Sequence, residues 1–333
     1  MADRGPPGRQ LAHENPVTGR DGGSRPPIFD AHAHLVSDDF RRYPLADQAA
    51  PSWAGRFPPP GAAGLRERVS RHPYTAEAVL REWDDSGVAA GAAVQYRTAY
   101  GQDNSYILDS GDAYPERVAP VVVLDAADRA SAGQLAVLAR HRGAAGVRLT
   151  GPADGGTLPW LDPGTGDGVW GVAGDLGLTV VIMYIPPGPS PDALARIAAV
   201  ASAFPGTSVV IDHMGWPDFA GALGTSRFGL TAAHLALARL RNVHLKLTTI
   251  TLEDLAGAGI SAAGFVRYAA DAFGADHLLW GSDAGNSQGA YPGLVSRAVA
   301  AAAQLTEAER AQFLGGTGRG LFVRGGRAAS GAA

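Results

Sequence analysis

Ile28-Phe29-Asp30-Ala31-His32-Ala33-His34-Leu35 opens the apolar part of the chain, and the way this stretch ends decides the architecture. Residues 28–31 form a short apolar run, read as a strand. Side chains alternate along a strand, so His32 and His34 leave it on the same side. A doubly wound nucleotide-binding sheet normally leaves its first strand through a glycine-rich phosphate turn. Here the turn reads His-Ala-His. Two imidazoles at the C-terminal end of a first strand suit a closed barrel, where such ends converge on the axis and carry the active site.

Working outward, short β-branched runs recur at 28–31, 89–95, 118–124, 146–150, 178–184, 208–212, 243–248 and 278–281. Ala-rich helical stretches separate them at 75–86, 104–114, 129–142, 168–176, 191–204, 231–241, 261–273 and 291–303. A last helix at 306–314 opens with Thr306 and Glu309 in the spacing of a capping box. Eight near-continuously apolar strands, each followed by a helix, predict an α/β fold of the (β/α)8 TIM-barrel type over 28–325. The long loop 37–73 after strand 1 contains Tyr43, Trp53, Phe57 and Pro58 to Pro60, and is a candidate lid over the barrel mouth.

The 333 residues are 46% hydrophobic and 18% charged, which is ample for a core. With 45 glycines and 23 prolines scattered between apolar runs, the chain is rich in turns. A net charge of -4 gives no reason to expect nucleic acid or an anionic membrane as partner. The absence of cysteine excludes disulfides and thiolate metal sites. Residues 1–27 are polar and Gly/Pro-rich without an apolar segment, so a disordered leader and a cytoplasmic protein are expected, with His13 playing no part. A disordered tail is expected at 326–333.

Three strand ends carry the candidate chemistry. His32 and His34 are a natural half of a divalent metal site, the other reading being two histidines that cap the strand and bond to the loop. Val209-Val210-Ile211-Asp212-His213 places His213 where strand six opens into its loop. Leu278-Leu279-Trp280-Gly281-Ser282-Asp283 puts a carboxylate just beyond strand eight, which closes against strand one. Asp283 can therefore meet the two histidines, as a metal ligand, a base toward water, or both. Polar residues at other strand ends are candidates for substrate binding: Gln95 and Arg97 on one side of strand two, Arg148, Tyr184 and Asn286. A small-molecule substrate is expected; Arg148 at the barrel mouth suits a carboxylate on it, and a salt bridge inside the barrel wall is the other reading of that arginine. Lys246, the sole lysine, is read as an interior charge or a mouth residue.

The segments FDAHAHL (29–35), DDSGVAAGAAVQY (84–96), DNSYILD (103–109), GVRL (146–149), VVIDHMGWP (209–217), VHLKLT (243–248), LLWGSD (278–283) and GTGRGLF (316–322) come in an order that resembles the amidohydrolase superfamily. The resemblance is to its second group, in the branch of sugar-lactone and pyrone-dicarboxylate lactonases. It implies that His32, His34 and Asp283 are metal ligands or their vestiges. It also implies that Asp283 activates water and that His213 polarises the substrate or moves a proton. The implied cofactor is a divalent metal, zinc or manganese. Strand five ends Ile182-Met183-Tyr184 without the histidine that metal-dependent members usually supply, which leaves metal-independent catalysis open. The implied reaction is lactone opening. A non-oxidative decarboxylase or hydratase is the alternative, with a non-hydrolytic binding protein or biosynthetic cyclase as a third reading. Barrels of this branch are often homodimers.

Overall fold

A computed structural model describes residues 27–46, 67, 69–151, 158–184, 191–222 and 227–323. The expected leader and tail, His13, and the part of the first loop with Trp53, Phe57 and Pro58 to Pro60 lie outside the described residues. Eight parallel strands pair in chain order: β1 (Ile28–Ala33), β2 (Val88–Val94), β3 (Val118–Val123), β4 (Gly146–Thr150), β5 (Thr179–Met183), β6 (Ser208–Ile211), β7 (Val243–Thr248) and β8 (Leu278–Gly281). The chain beyond β8 closes the ring on β1. The Asp283 amide donates to the His32 carbonyl at 2.8 Å, and the His34 amide donates to the Ala284 carbonyl at 2.8 Å.

The helices are α1 (Ala76–Asp85), α2 (Arg97–Tyr100), α3 (Ser105–Ala113), α4 (Ser131–His141), α5 (Asp167–Asp175), α6 (Pro191–Ala203), α7 (Ala232–Leu237), α8 (Thr249–Gly257), α9 (Ala262–Phe273), α10 (Tyr291–Ala301), α11 (Glu307–Ala311) and α12 (Thr317–Phe322). Thr306 and Glu309 form the reciprocal cap at the start of α11. Among the described residues, no helix is long and apolar enough to cross a membrane.

Strand alternation sorts the apolar side chains into two layers. One set, including Phe29, Ala31, Ala92, Val121, Val181, Val210 and Leu279, fills the barrel interior together with Phe322 from α12. The alternate set, including Val147, Leu149, Val180, Ile182, Leu245, Leu247 and Trp280, packs against the helices. Phe322 stacks on Phe29 with ring centroids 6.3 Å apart and plugs the barrel below the site.

β1 departs from regular alternation. Asp30 pairs with Gly91 and Ala33 with Ala93, so β1 spends three residues where β2 spends two. This bulge inserts one residue and switches the strand's phase. Phe29 and Ala31 face the interior below it, and His32 and His34 face it above. Asp30 instead lies on the helix side, where it accepts hydrogen bonds from Ser282 N (2.8 Å), Ser282 Oγ (2.6 Å), Tyr291 Oη (2.9 Å) and His32 N (3.0 Å). The extra residue needs room on β8. A Cβ on Gly281 would sit 2.5 Å from the His32 Cβ, so only glycine fits there.

Candidate active site

His32, His34 and Asp283 converge at the mouth, and all three are buried. His32 Nε2 lies 3.2 Å from His34 Nε2 and 3.4 Å from Asp283 Oδ1, while His34 Nε2 lies 3.3 Å from the same oxygen. A divalent ion bound tetrahedrally at about 2.0–2.1 Å separates its ligand atoms by about 3.3 Å. The triangle therefore has the dimensions of one face of such a site. The proton positions agree. His34 Nδ1 is 2.8 Å from the Val94 carbonyl, which can only accept, so neutral His34 carries its proton there and turns the Nε2 lone pair inward. These residues fit a divalent cation. Strand five adds no histidine, and Met183 lines the pocket there.

Burial alone would raise the Asp283 carboxyl. The His34, His32 and His213 rings packed against it outweigh burial and hold Asp283 below the usual carboxylate range. Asn286 Nδ2 (2.9 Å) and Ser287 Oγ (3.2 Å) both donate to Asp283 Oδ2, which leaves Oδ1 to the histidines. Burial, with Lys246 adding its charge, pushes His32 down to about 3 although Asp212 opposes. Burial likewise brings His213 down to about 4. Both rings are neutral near pH 7, the state that can ligate a metal or donate one N–H.

His213 is delivered by an unusual backbone. Four consecutive residues, His213 (φ 53°), Met214 (57°), Gly215 (70°) and Trp216 (59°), are left-handed. The three that are not glycine each cost about 1–2 kcal/mol in that region. The turn drops the His213 ring into the pocket beside Asp283, with Nδ1 2.7 Å from Thr248 Oγ1 and the Trp216 ring 4.7 Å away. The Gly215 carbonyl accepts from Tyr184 Oη at 3.2 Å and from His234 Nε2 at 3.0 Å. Trp216 Nε1 donates to the Tyr184 carbonyl.

Beneath the histidines lies a buried ion cluster centred on Asp212. Arg148 reaches Asp212 Oδ2 through Nε (2.9 Å) and Nη2 (2.8 Å). Lys246 Nζ stands 2.8 Å from Asp212 Oδ1 and 3.4 Å from His32 Nδ1. Lys246 is thus an interior charge. Asp212 is the residue that the sequence reading passed over. Its signal was present, since an aspartate ending an apolar strand implies buried cations, and Arg148 and Lys246 sit at strand positions of the matching parity.

The substrate-binding candidates divide. Arg97 and Asn286 line the pocket, with Tyr96, Thr98, Trp216 and Ile250. Arg97 makes a 2.8 Å hydrogen bond from Nη1 to Thr150 Oγ1. Arg148 also lines the pocket, with its guanidinium engaged by Asp212. Gln95 and Arg97 do not share a side, because the chain leaves β2 after Val94 and turns into α2. Gln95 is buried with its amide on the Asp103 carbonyl. Tyr184 is buried behind the pocket with its hydroxyl on Gly215.

An amidohydrolase family profile matches residues 29–323. An L-fucono-1,5-lactonase from Burkholderia ambifaria is 30% identical over 232 residues, covering 63% of this chain and 73% of that protein. Among solved structures, an amidohydrolase from Burkholderia multivorans with bound zinc superposes with a TM-score of 0.63 at 22% identity, over 89% of this chain and 98% of that one. A dihydroxybenzoic acid decarboxylase from Polaromonas sp. JS666, with manganese and 2-nitroresorcinol bound, gives a TM-score of 0.60 at 14% identity over 89% and 96%. At these identities the structural likeness speaks for the fold.

Proposed function

Because this chain belongs to the amidohydrolase family and is an enzyme of its lactonase-like kind, we propose that it opens a lactone by attack of water. The carrying observation is the convergence of His32, His34 and Asp283 within 3.2–3.4 Å of one another, with His213 on the same pocket. Asp283 takes the proton from water. A carboxylate held as low as Asp283 is ionised throughout the working range and correspondingly weak as a base. A divalent ion held by His32, His34 and Asp283 would supply what that weakness requires, by lowering the pKa of water and polarising the carbonyl.

The hydroxide oxygen attacks the lactone carbonyl carbon. His213, neutral and backed by Thr248, donates from Nε2 toward the developing oxyanion, the kind of contact that contributes most to such reactions. Collapse breaks the ring C–O bond, and the leaving alkoxide regains the proton carried by Asp283. Trp216, Ile250 and Met183 give the pocket an apolar wall that limits competing water.

Arg97 is the substrate-orienting cation. It has no carboxylate within ion-pair distance among the described residues; burial and then the nearby Arg148 push it below its ordinary value, against the opposing charge of the more distant Asp125. The substrate assigned to the pocket is accordingly a lactone with a carboxylate or a dense set of hydroxyls facing Arg97.

The relative's substrate makes L-fucono-1,5-lactone the first compound to test, followed by other aldonolactones and carboxylated pyrones. Ring opening releases a proton and is followed continuously with a pH indicator. Asp283→Asn is expected to keep the fold and lose roughly 100- to 10,000-fold in kcat, the range of a general base. A variant that turns over lactones at the wild-type rate refutes the reading, and release of carbon dioxide from an aromatic acid would replace it with decarboxylation.

A further inference from the structure

We propose that His234, outside the pocket on α7, is a positioning residue that holds the left-handed turn and so sets where His213 meets the substrate; this rests on the hydrolytic reading given above. The turn is a run of backbone that its own residues disfavour, since only Gly215 among the four is at ease with positive φ. It therefore persists only where its surroundings fix it.

Two side chains hold the Gly215 carbonyl, Tyr184 Oη at 3.2 Å and His234 Nε2 at 3.0 Å. His234 is fully buried, and its two nitrogens have distinct tasks. Nδ1 accepts from the Thr231 amide at 3.2 Å, which places the ring's proton on Nε2. That Nε2–H donates to the Gly215 carbonyl at 3.0 Å. The Thr231 Oγ1 in turn caps α7 through the His234 amide, so the ring's orientation is tied to the start of a helix. A bond at the turn's third residue constrains the two before it, while the ring of His213 itself is held by its 2.7 Å contact with Thr248 Oγ1 and by the Trp216 ring 4.7 Å away, the latter carried by the same turn. His234 is neither one of the three converging ligand residues nor among the residues that line the pocket.

Two conservative replacements separate this role from a merely structural one. A Gln amide nitrogen falls near the Nε2 of histidine, and an Asn amide falls near Nδ1. His234→Gln therefore keeps the donor to Gly215 and loses the cap acceptor. His234→Asn keeps the cap and loses the donor.

The measurement is kcat and KM for the lactone turned over fastest in the screen above, with melting temperature as the check on folding. The expected result is a Gln variant within about threefold of wild-type kcat and an Asn variant at least tenfold lower, with KM in both within twofold. Equal kcat values, or the reverse order, overturn the proposal. Crystal structures of the two variants give a reading that does not depend on any substrate: φ at 213–216 stays positive with Gln and relaxes with Asn. An unchanged turn in the Asn variant also overturns it. Should no lactone be turned over by the wild type, the hydrolytic reading fails, whereas a turn that relaxes in the Asn variant still supports the positioning role; should His213→Ala hydrolyse lactones at the wild-type rate, the positioning role is overturned and the hydrolytic reading stands.

Discussion

Replacing Gly281 by alanine tests how tightly the site depends on the β1 bulge. The backbone of Gly281 is not in the left-handed region, so the substitution adds a steric demand and no conformational one. The new Cβ would lie 2.5 Å from the His32 Cβ and 2.9 Å from the His32 nitrogen. Carbon atoms in good contact stand about 3.5–4.0 Å apart, so His32 or β8 must retreat by about 1 Å. The ligand triangle has sides of only 3.2–3.4 Å. A shift of that size removes one corner from bonding distance. Misplacement by about 1 Å costs on the order of 100-fold in rate, which corresponds to about 2.7 kcal/mol. Overpacking should also cost about 1–3 kcal/mol of stability. The assay is metal content after dialysis against zinc, together with kcat/KM and urea unfolding. Gly293→Ala in α10 is the control, because a Cβ there meets nothing within 4 Å. A Gly281→Ala enzyme with wild-type rate and zinc content would refute the reasoning.

Three further outcomes follow from the same geometry. Lys246→Met leaves Arg148 as the one permanently charged partner of buried Asp212, with neutral His32 Nδ1 3.5 Å from its Oδ1, and should cost about 3–5 kcal/mol in urea unfolding, as for a buried ion pair that loses one partner; adding Asp212→Asn should recover part of that loss, and a double mutant no more stable than the single would contradict the cluster. Burial holds His234 at about 4 in the folded chain, against 6.5 for an ordinary histidine. The unfolded chain therefore binds the proton first, so stability is complete above about pH 6.5 and falls as pH drops from there to about 4, by up to about 3 kcal/mol from this residue; a stability curve no shallower in His234→Gln over that window would count against it. Chelation should lower the melting temperature and abolish activity, and zinc at a hundredfold excess over its Kd should restore about 2.7 kcal/mol; identical melting curves with and without chelator would argue for a site that works without metal.

The strands were legible because their signal is local. β5 was expected at 178–184 and is Thr179–Met183, and the other runs fall equally close. The meeting of His32, His34 and Asp283 was also legible, since barrel closure brings the ends of β1 and β8 together whatever the loops do. What stayed hidden depends on partners far away in sequence. The bulge in β1 is a matter of register against β2, and nothing in FDAHAH marks it. The left-handed run at His213, Met214 and Trp216 defies the residue preferences by which such turns are read, because distant Tyr184 and His234 hold it. Gln95 and Arg97 were assigned to one face because α2, only four residues long, was too short to show a helical pattern.

The final helix was expected at 306–314. The chain instead passes through the wider turn Gln312–Gly316 into α12. Gly315 and Gly318 serve there as close-packing positions, the latter with a Cβ position 2.7 Å from Phe29 Cδ1.

Anomalous diffraction at the zinc absorption edge, from crystals grown with the ion, tests the central arrangement most directly. A single peak about 2.0–2.2 Å from His32 Nε2, His34 Nε2 and an Asp283 oxygen is the predicted result. A peak bound elsewhere in the barrel, or none at those three atoms, would contradict it.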